Sequence, residues 1–300
     1  MTVYSNYENV WYCIDITALG FVLICGCTGN TGTPSSGNSE SGVTATPTGT
    51  VEVTTATVAP QVTPAVTAEL TASEIADRIK AVMLSIESSA KRCADVVAKD
   101  GIAGEESLRA IKNCLNDNPG ITTITIDDPN LVVVSAEPTE YSYLIGSGAG
   151  RQAIDKPTLT KSYVFVEGYR GVSQICPIFA DDGKKIGYLE MSYQPRSMIA
   201  NIVHQLIEST PYNVWVIETD GTSLFDTSSS EIGNNLLTDD LYQDAKLHKF
   251  IQTVVKNKEG VGQYNFRDHM TDKVIDKDAR WATVDYGGRE WRVVLTSPAE

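Results

Sequence analysis

The first lysine or arginine in this 300-residue chain is Arg78. A secretory leader ordinarily opens on basic residues, and none stands ahead of the apolar run "ITALGFVLICGC", about residues 16–26. A misplaced start codon would explain both the odd N-terminus and Asp15 inside the leader. Long hydrophobic runs are also missing. The stretch just quoted is too short to cross a bilayer, though it fits the apolar part of a signal peptide. Histidine is nearly absent: His204, His248 and His269 lie on separate segments without metal-ligand spacing, which argues against a zinc site. No Gly-x-Ser-x-Gly elbow, Cys-x-x-Cys pair or Walker loop occurs, so the common frameworks for nucleophilic, redox and phosphoryl chemistry are missing. Basic residues are outnumbered, 24 against 38 acidic ones, for a net charge of -14. Such a surface repels phosphate backbones, and nucleic acid is a poor partner.

Cysteines number six. Cys13, Cys25 and Cys27 fall in the leader, and Cys27, after Ile24-Cys25-Gly26, stands where a lipobox places its lipidated residue. Cys93, Cys114 and Cys176 remain for the folded part, an odd set that allows one disulfide at most. A Cys93–Cys114 bridge outside the cell and buried free thiols are both open. Residues 28–67 are rich in Thr, Ser, Gly and Pro and hold no Lys, Arg or aromatic residue. They cannot bury enough apolar surface to offset ordering, and read as a disordered stalk. Leader, cysteine and stalk in this order predict a lipid-anchored protein on the extracellular face of the membrane. One lipid gives marginal anchoring, so a second support is implied.

Beyond the stalk, Thr71-Ala72-Ser73-Glu74 has capping-box spacing, and Ile75, Ile79, Val82, Met83, Ile86, Cys93 and Val97 recur at helical steps. A helix over about 72–99 follows, on the order of 40 Å long and too long for one small sheet. A second helix is expected over 105–116. Then "ITTITI", an acidic turn and "LVVVSA" alternate as strands. "TLTKSYVFVEG", "GVSQICPIF" and "KKIGYLEMSY" continue them, and a helix runs from Pro195 to about Glu208. "YNVWVIE", "TSLFD", a helix over about 238–256, "GVGQYNF", "RWATVDY" and "REWRVVLTS" repeat the plan. The expected class is α+β: a long N-terminal helix followed by two PAS-like modules, each a five-stranded antiparallel sheet with flanking helices. "TDDLYQD" (238–244) suits either a weak calcium site or the acidic first turn of its helix.

This layout resembles the double Cache family of extracellular sensors over about residues 70–298. "CPIFADDGKKIGYLEMSY" looks like the close of the membrane-distal module, "VWVIETDGTSLFDTSSSEIGNNL" like the opening of the proximal one, and "GVGQYNF" with "ARWATVDYGGREWRVVLTS" like its end. Together with the leader and stalk, the chain is similar to the free-standing Cache lipoproteins of methanogenic archaea. The expected parts are residues 1–27 as signal and lipobox, 28–67 as stalk, 68–101 as helix, 102–209 as distal module and 210–300 as proximal module. The resemblance implies small-molecule binding in the distal module, no catalysis, no cofactor, a membrane receptor or signalling partner, and a homodimer through the long helix. Since the chain stops at Glu300, just after the last strand, it is expected to carry no output domain. The other reading is a surface adaptor with a vestigial pocket.

"YSYLIGSGAGRQ" (141–152) tests these readings. A dinucleotide fingerprint needs a third glycine where Arg151 stands, after a buried parallel strand. Arg151 instead matches, by position, the arginine that in amino-acid-binding Cache domains holds a ligand carboxylate bidentately. Tyr163 matches the tyrosine that helps hold the amine. The tryptophan position is Ala153, and the aspartate position is about Ser192, so a small carboxylate or other polar metabolite is expected rather than an α-amino acid. Tyr141 and Tyr143 are candidates for a lid. Glu167, Tyr169 and Arg170 are candidates for the pocket wall, or for a polar hairpin. Trp281 and Trp291 are expected in the proximal core.

Overall fold

The computed structural model describes residues 3–7, 10–14, 69–228, 231–268 and 273–299. The apolar leader run, Cys27 and the stalk lie outside the described residues. The chain divides into two compact units, Met1–Pro64 and Ala65–Glu300. In the first, β1 (Val3–Tyr7) and β2 (Val10–Ile14) pair antiparallel, Val3 opposite Ile14.

The second unit is built along α1, Ala72–Asp100. Thr71 caps it, its hydroxyl accepting from the Glu74 amide at 3.1 Å, and Gly101, at φ 91°, ends it. The apolar stripe expected from the sequence is buried, from Ile75 and Ile79 through Met83, Ile86 and Cys93 to Val97. Helix α2, Glu105–Asp117, lies against α1 through Ser107, Ile111 and Cys114. Twenty-nine residues give α1 a length of about 43 Å, enough to serve two sheets. One core cluster follows it from Ile124, Leu189 and Met191 in the first to Val216, Val293 and Trp291 in the second.

The first sheet has the order β4-β3-β8-β7-β5, all antiparallel: β4 is Val133–Glu137, β3 Ile121–Asp127, β8 Lys185–Tyr193, β7 Arg170–Phe179 and β5 Thr158–Leu159. A further short strand, β6 (Tyr163–Val164), also pairs with β7. The single strand expected from "TLTKSYVFVEG" is thus two two-residue pieces. Helix α3, Pro195–Ile207, leads to the second sheet, ordered β10-β9-β13-β12-β11. Its strands are β9 (Asn213–Glu218), β10 (Ser223–Asp226), β11 (Gly260–Asp268), β12 (Lys273–Tyr286) and β13 (Arg289–Pro298).

The helix expected over 238–256 is shorter. Helix α4 is Ala245–Lys256, opened by Asp244, whose carboxylate accepts from the Lys246 and Leu247 amides at 3.0 and 3.3 Å. The acidic stretch is therefore a helix start. Asp239 and Asp244 turn their side chains onto following backbone amides instead of extending the helix.

The sheets differ on the face away from α1. On the second, α4 packs Phe250, Ile251 and Val254 onto Trp215, Trp281 and Val294. Trp281 lies in that core and Trp291 in the α1-side core. On the first, Arg151 and the rings of Phe165 and Tyr169 lie over a face that is largely polar. Strand alternation sends Ile124, Ile126, Leu189, Met191 and Tyr193 to α1 and leaves Thr123, Thr125, Asp127, Tyr188, Glu190 and Ser192 on the other side.

Candidate ligand-binding site

That outer face is tightly set by register. Thr123 stands opposite Ser192, Thr125 opposite Glu190 and Asp127 opposite Tyr188. On the next strand Ser173 faces Ser192, and their hydroxyls are 3.0 Å apart. All these residues are buried. A buried polar sheet face is costly unless something satisfies it.

Arg151 supplies part of the answer. Its Nη2 donates to Asp127 Oδ2 at 2.6 Å, its Nε to Glu190 Oε2 at 3.0 Å, and its Nη1 to the Gln152 carbonyl at 3.4 Å. The guanidinium carbon sits 4.5 Å above the Tyr188 ring. Its side chain is 11% exposed, against 0% for Asp127 and 10% for Glu190. Two carboxylates share one cation here. Burial, reinforced by the Glu190 charge, pushes Asp127 up to about 6 despite the pull of Arg151 and the Thr125 hydroxyl. Lys185 stands at the edge, over Tyr188, and pairs with Asp155 at 2.7 Å.

The glycines explain how Arg151 arrives there. The chain runs back beside residues 131–133: the Gly146 amide donates to the Val133 carbonyl at 2.8 Å and the Ala149 amide to Leu131 at 2.7 Å. Gly146 and Gly150 have φ of 87° and 65°, conformations that a Cβ disfavours. The Gly146, Ser147 and Ala149 amides bond to carbonyls of this chain. They do not form a phosphate cradle.

Residues 163–169 form an aromatic roof. Tyr163 and Phe165 have ring centroids 4.3 Å apart, and Phe165 stacks on Tyr169 at 4.9 Å. Gly171 admits this roof onto β7, since a Cβ there would stand 2.6 Å from Phe165 Cε2. Tyr163 lies near Ser173 and Glu190, and Tyr169 near Thr123; burial pushes both phenols up to about 12. The Tyr169 hydroxyl approaches the Thr123 hydroxyl, and neither closes a well-formed hydrogen bond. A buried oxygen of Glu167 also lacks a partner. Tyr141 and Tyr143 meet edge to face at 6.2 Å, with Tyr143 at the rim, 60% exposed.

The structure thus brings together Arg151, Tyr163, Glu167, Tyr169 and Ser192, with Tyr141 and Tyr143 beside them. Arg170 is not in the group. Alternation along β7 sends it with Val172 and Gln174 toward the other face, where it meets the Ser162 hydroxyl at 3.5 Å and approaches Gly233. Sequence reasoning missed Asp127 and Glu190. It sought one acid at about Ser192, whereas the acid lies two residues earlier on the same face, with a second one across on β3. Period-two counting along "GYLEMSY" is the signal that finds Glu190. The root of the roof is tied to the second sheet: the Ser162 amide donates to both Glu218 carboxylate oxygens, at 3.2 and 3.3 Å.

This architecture, one long helix carrying two antiparallel sheets with a roofed polar face on the first, is the double Cache fold. Residues 81–195 match the family model described as "HK/GC/Chemotaxis protein-like, sensor domain". Among solved structures, an extracellular ligand-binding receptor from Desulfohalobium retbaense is similar at 23% identity and TM-score 0.61, over 75% of this chain. This chain spans 39% of that receptor's length. The periplasmic sensory domain of the Campylobacter jejuni chemoreceptor Tlp1 is similar at 14% identity and TM-score 0.56, over 76% of this chain and 92% of its own. The ligand-binding domain of the Pseudomonas aeruginosa amino acid chemoreceptor PctB, solved with L-Arg, is similar at 12% identity and TM-score 0.52, over 76% and 92%. A search of the curated proteins finds no match. Among the described residues no helix is long and apolar enough to cross a membrane, and no cluster of metal-binding side chains occurs.

Proposed function

We propose that this protein is a non-catalytic extracellular sensor that binds a small polar molecule between the roof 163–169 and the outer face of the first sheet. The module holding that sheet is the membrane-distal one. Cys27 carries the lipid anchor, the stalk spaces the domain from the membrane, and the exposed side of α1 pairs two copies. A membrane receptor or signalling partner takes the signal onward.

The observation that carries the reading is a buried polar face with unsatisfied groups beneath an aromatic roof. Thr123, Tyr169 and Glu167 each present a polar atom without a partner, which a ligand would satisfy. Charge narrows the ligand. The expected carboxylate depended on a free Arg151, but Arg151 Nε and Nη2 already bond to Glu190 and Asp127. Counting Asp127, Asp155, Glu167 and Glu190 against Arg151 and Lys185, the surroundings hold an excess of acid. Aromatic rings beside carboxylates suit a positively charged or hydrogen-donating end. A small amine is therefore favoured over a simple carboxylic acid.

A thermal-shift series on residues 65–300 tests this with L-arginine, L-lysine, putrescine, succinate and acetate. Binding at a hundredfold excess over Kd adds about 2.7 kcal/mol and raises Tm by several degrees. Amines are expected to shift Tm and the acids are not. A shift by succinate alone would overturn the charge argument, and no shift by any compound would remove the support for this pocket.

A further inference from the structure

Two of the three buried cysteines of the second unit meet away from the polar face. Cys93 lies on α1 and Cys114 on α2, both inside the core cluster. Cys114 Sγ is 3.9 Å from the Ser89 carbonyl, which lies one helical turn before Cys93 on the same side of α1. Asn118 fixes the Cys114 turn, its Nδ2 lying 2.7 Å from the Cys114 carbonyl and 3.6 Å from its sulfur, while its Oδ1 accepts from the Ser89 hydroxyl at 3.2 Å. The two thiols lie within reach of each other, and both are free in this structure.

We infer that Cys93 and Cys114 are an oxidisable pair, joined by a disulfide that fastens α2 to α1 when the protein meets a disulfide oxidant. In the exchange, the Cys114 thiolate attacks oxidised glutathione and releases one glutathione thiolate. The Cys93 thiolate then attacks the Cys114 sulfur of the mixed disulfide and expels the second glutathione. Two protein thiols and one glutathione disulfide become one protein disulfide and two glutathione thiols, so electrons and protons balance. Cys114 goes first because it is the less buried, at 8% exposure against 3% for Cys93. Its contact with the Cys93 thiol, and after it the neighbouring Arg92 charge, also favour its thiolate. The bridge closes a loop of about 20 residues and suits an oxidising compartment. Helix α2 buries three side chains, Ser107, Ile111 and Cys114, so a bridge would add much of its attachment.

The full chain is incubated with oxidised glutathione, quenched in acid, alkylated and digested with trypsin. The expected product is peptide 93–99 linked to peptide 113–151, removed by dithiothreitol, absent in Cys93→Ala and retained in Cys176→Ala. Oxidation is expected to raise Tm by roughly 5–10 °C in the wild type and to leave Cys93→Ala unshifted. Both thiols alkylated after oxidation, a stable glutathione adduct on either one, or a link to Cys176 instead would each overturn the inference. The wild-type digest separates these outcomes whether or not the variants fold.

Discussion

Replacing Asp127 by asparagine should flatten one component of the protein's pH dependence. Asp127 is fully buried beside Glu190 and Arg151, and its carboxyl is pushed from 3.8 up to about 6 by burial first and the Glu190 charge second. The folded state therefore holds this proton more tightly than the unfolded chain. Stability is lowest above about pH 6 and recovers as pH falls toward 4. A shift of about two units corresponds to ~3 kcal/mol. The asparagine amide keeps the shape of the carboxyl group and cannot take up the proton. Urea unfolding of residues 65–300 between pH 4 and 8 measures the difference between wild type and Asp127→Asn. That difference should move by about 2 kcal/mol in favour of the wild type on going from pH 6.5 to pH 4, the part of the full ~3 kcal/mol that falls in this window. Asp226, also pushed up by burial, to about 7, is common to both proteins and cancels. Parallel curves would refute the reasoning. A wild type that loses ground on acidification would show that Arg151 outweighs burial and holds the carboxyl down.

Arg151→Met removes the guanidinium while keeping bulk, and leaves Asp127 and Glu190 buried without a cation. It should cost about 3–5 kcal/mol at pH 7.5 and less at pH 5, where Asp127 takes up a proton; a loss under 1 kcal/mol by urea unfolding contradicts this. Tyr286→Phe removes a hydroxyl that lies 2.9 Å from Glu87 on α1 and 2.7 Å from Gln174 on β7. A cost of about 1–3 kcal/mol is expected, and an unchanged midpoint would deny this link between the sheets. Gly260→Ala sets a Cβ 2.2 Å from Trp281 Cζ2. It should destabilise by about 2–3 kcal/mol and change tryptophan emission, and neutral stability would mean that the β11–β12 edge yields freely.

By itself, the sequence determined the frame. Three- and four-residue spacing wrote α1 and its buried stripe, because a helix cannot bury such a pattern in another way. Its length implied either more than one module along it or a second copy beside it. Alternation wrote the strands, and Arg151 broke the dinucleotide fingerprint by its identity alone. Local side-chain competition decided what the pattern missed: Asp239 and Asp244 bond to nearby amides and hold α4 to a later start. Tertiary structure alone decided the site. That Arg151 meets two acids depends on the register of β3 against β8 and on a loop folding back along residues 131–133, neither of which is local in the chain. The same is true of Arg170, which a one-residue parity along β7 turns away from the roof. The charge of the candidate pocket is therefore a property of pairing between distant strands, and so is the preference for an amine over an acid.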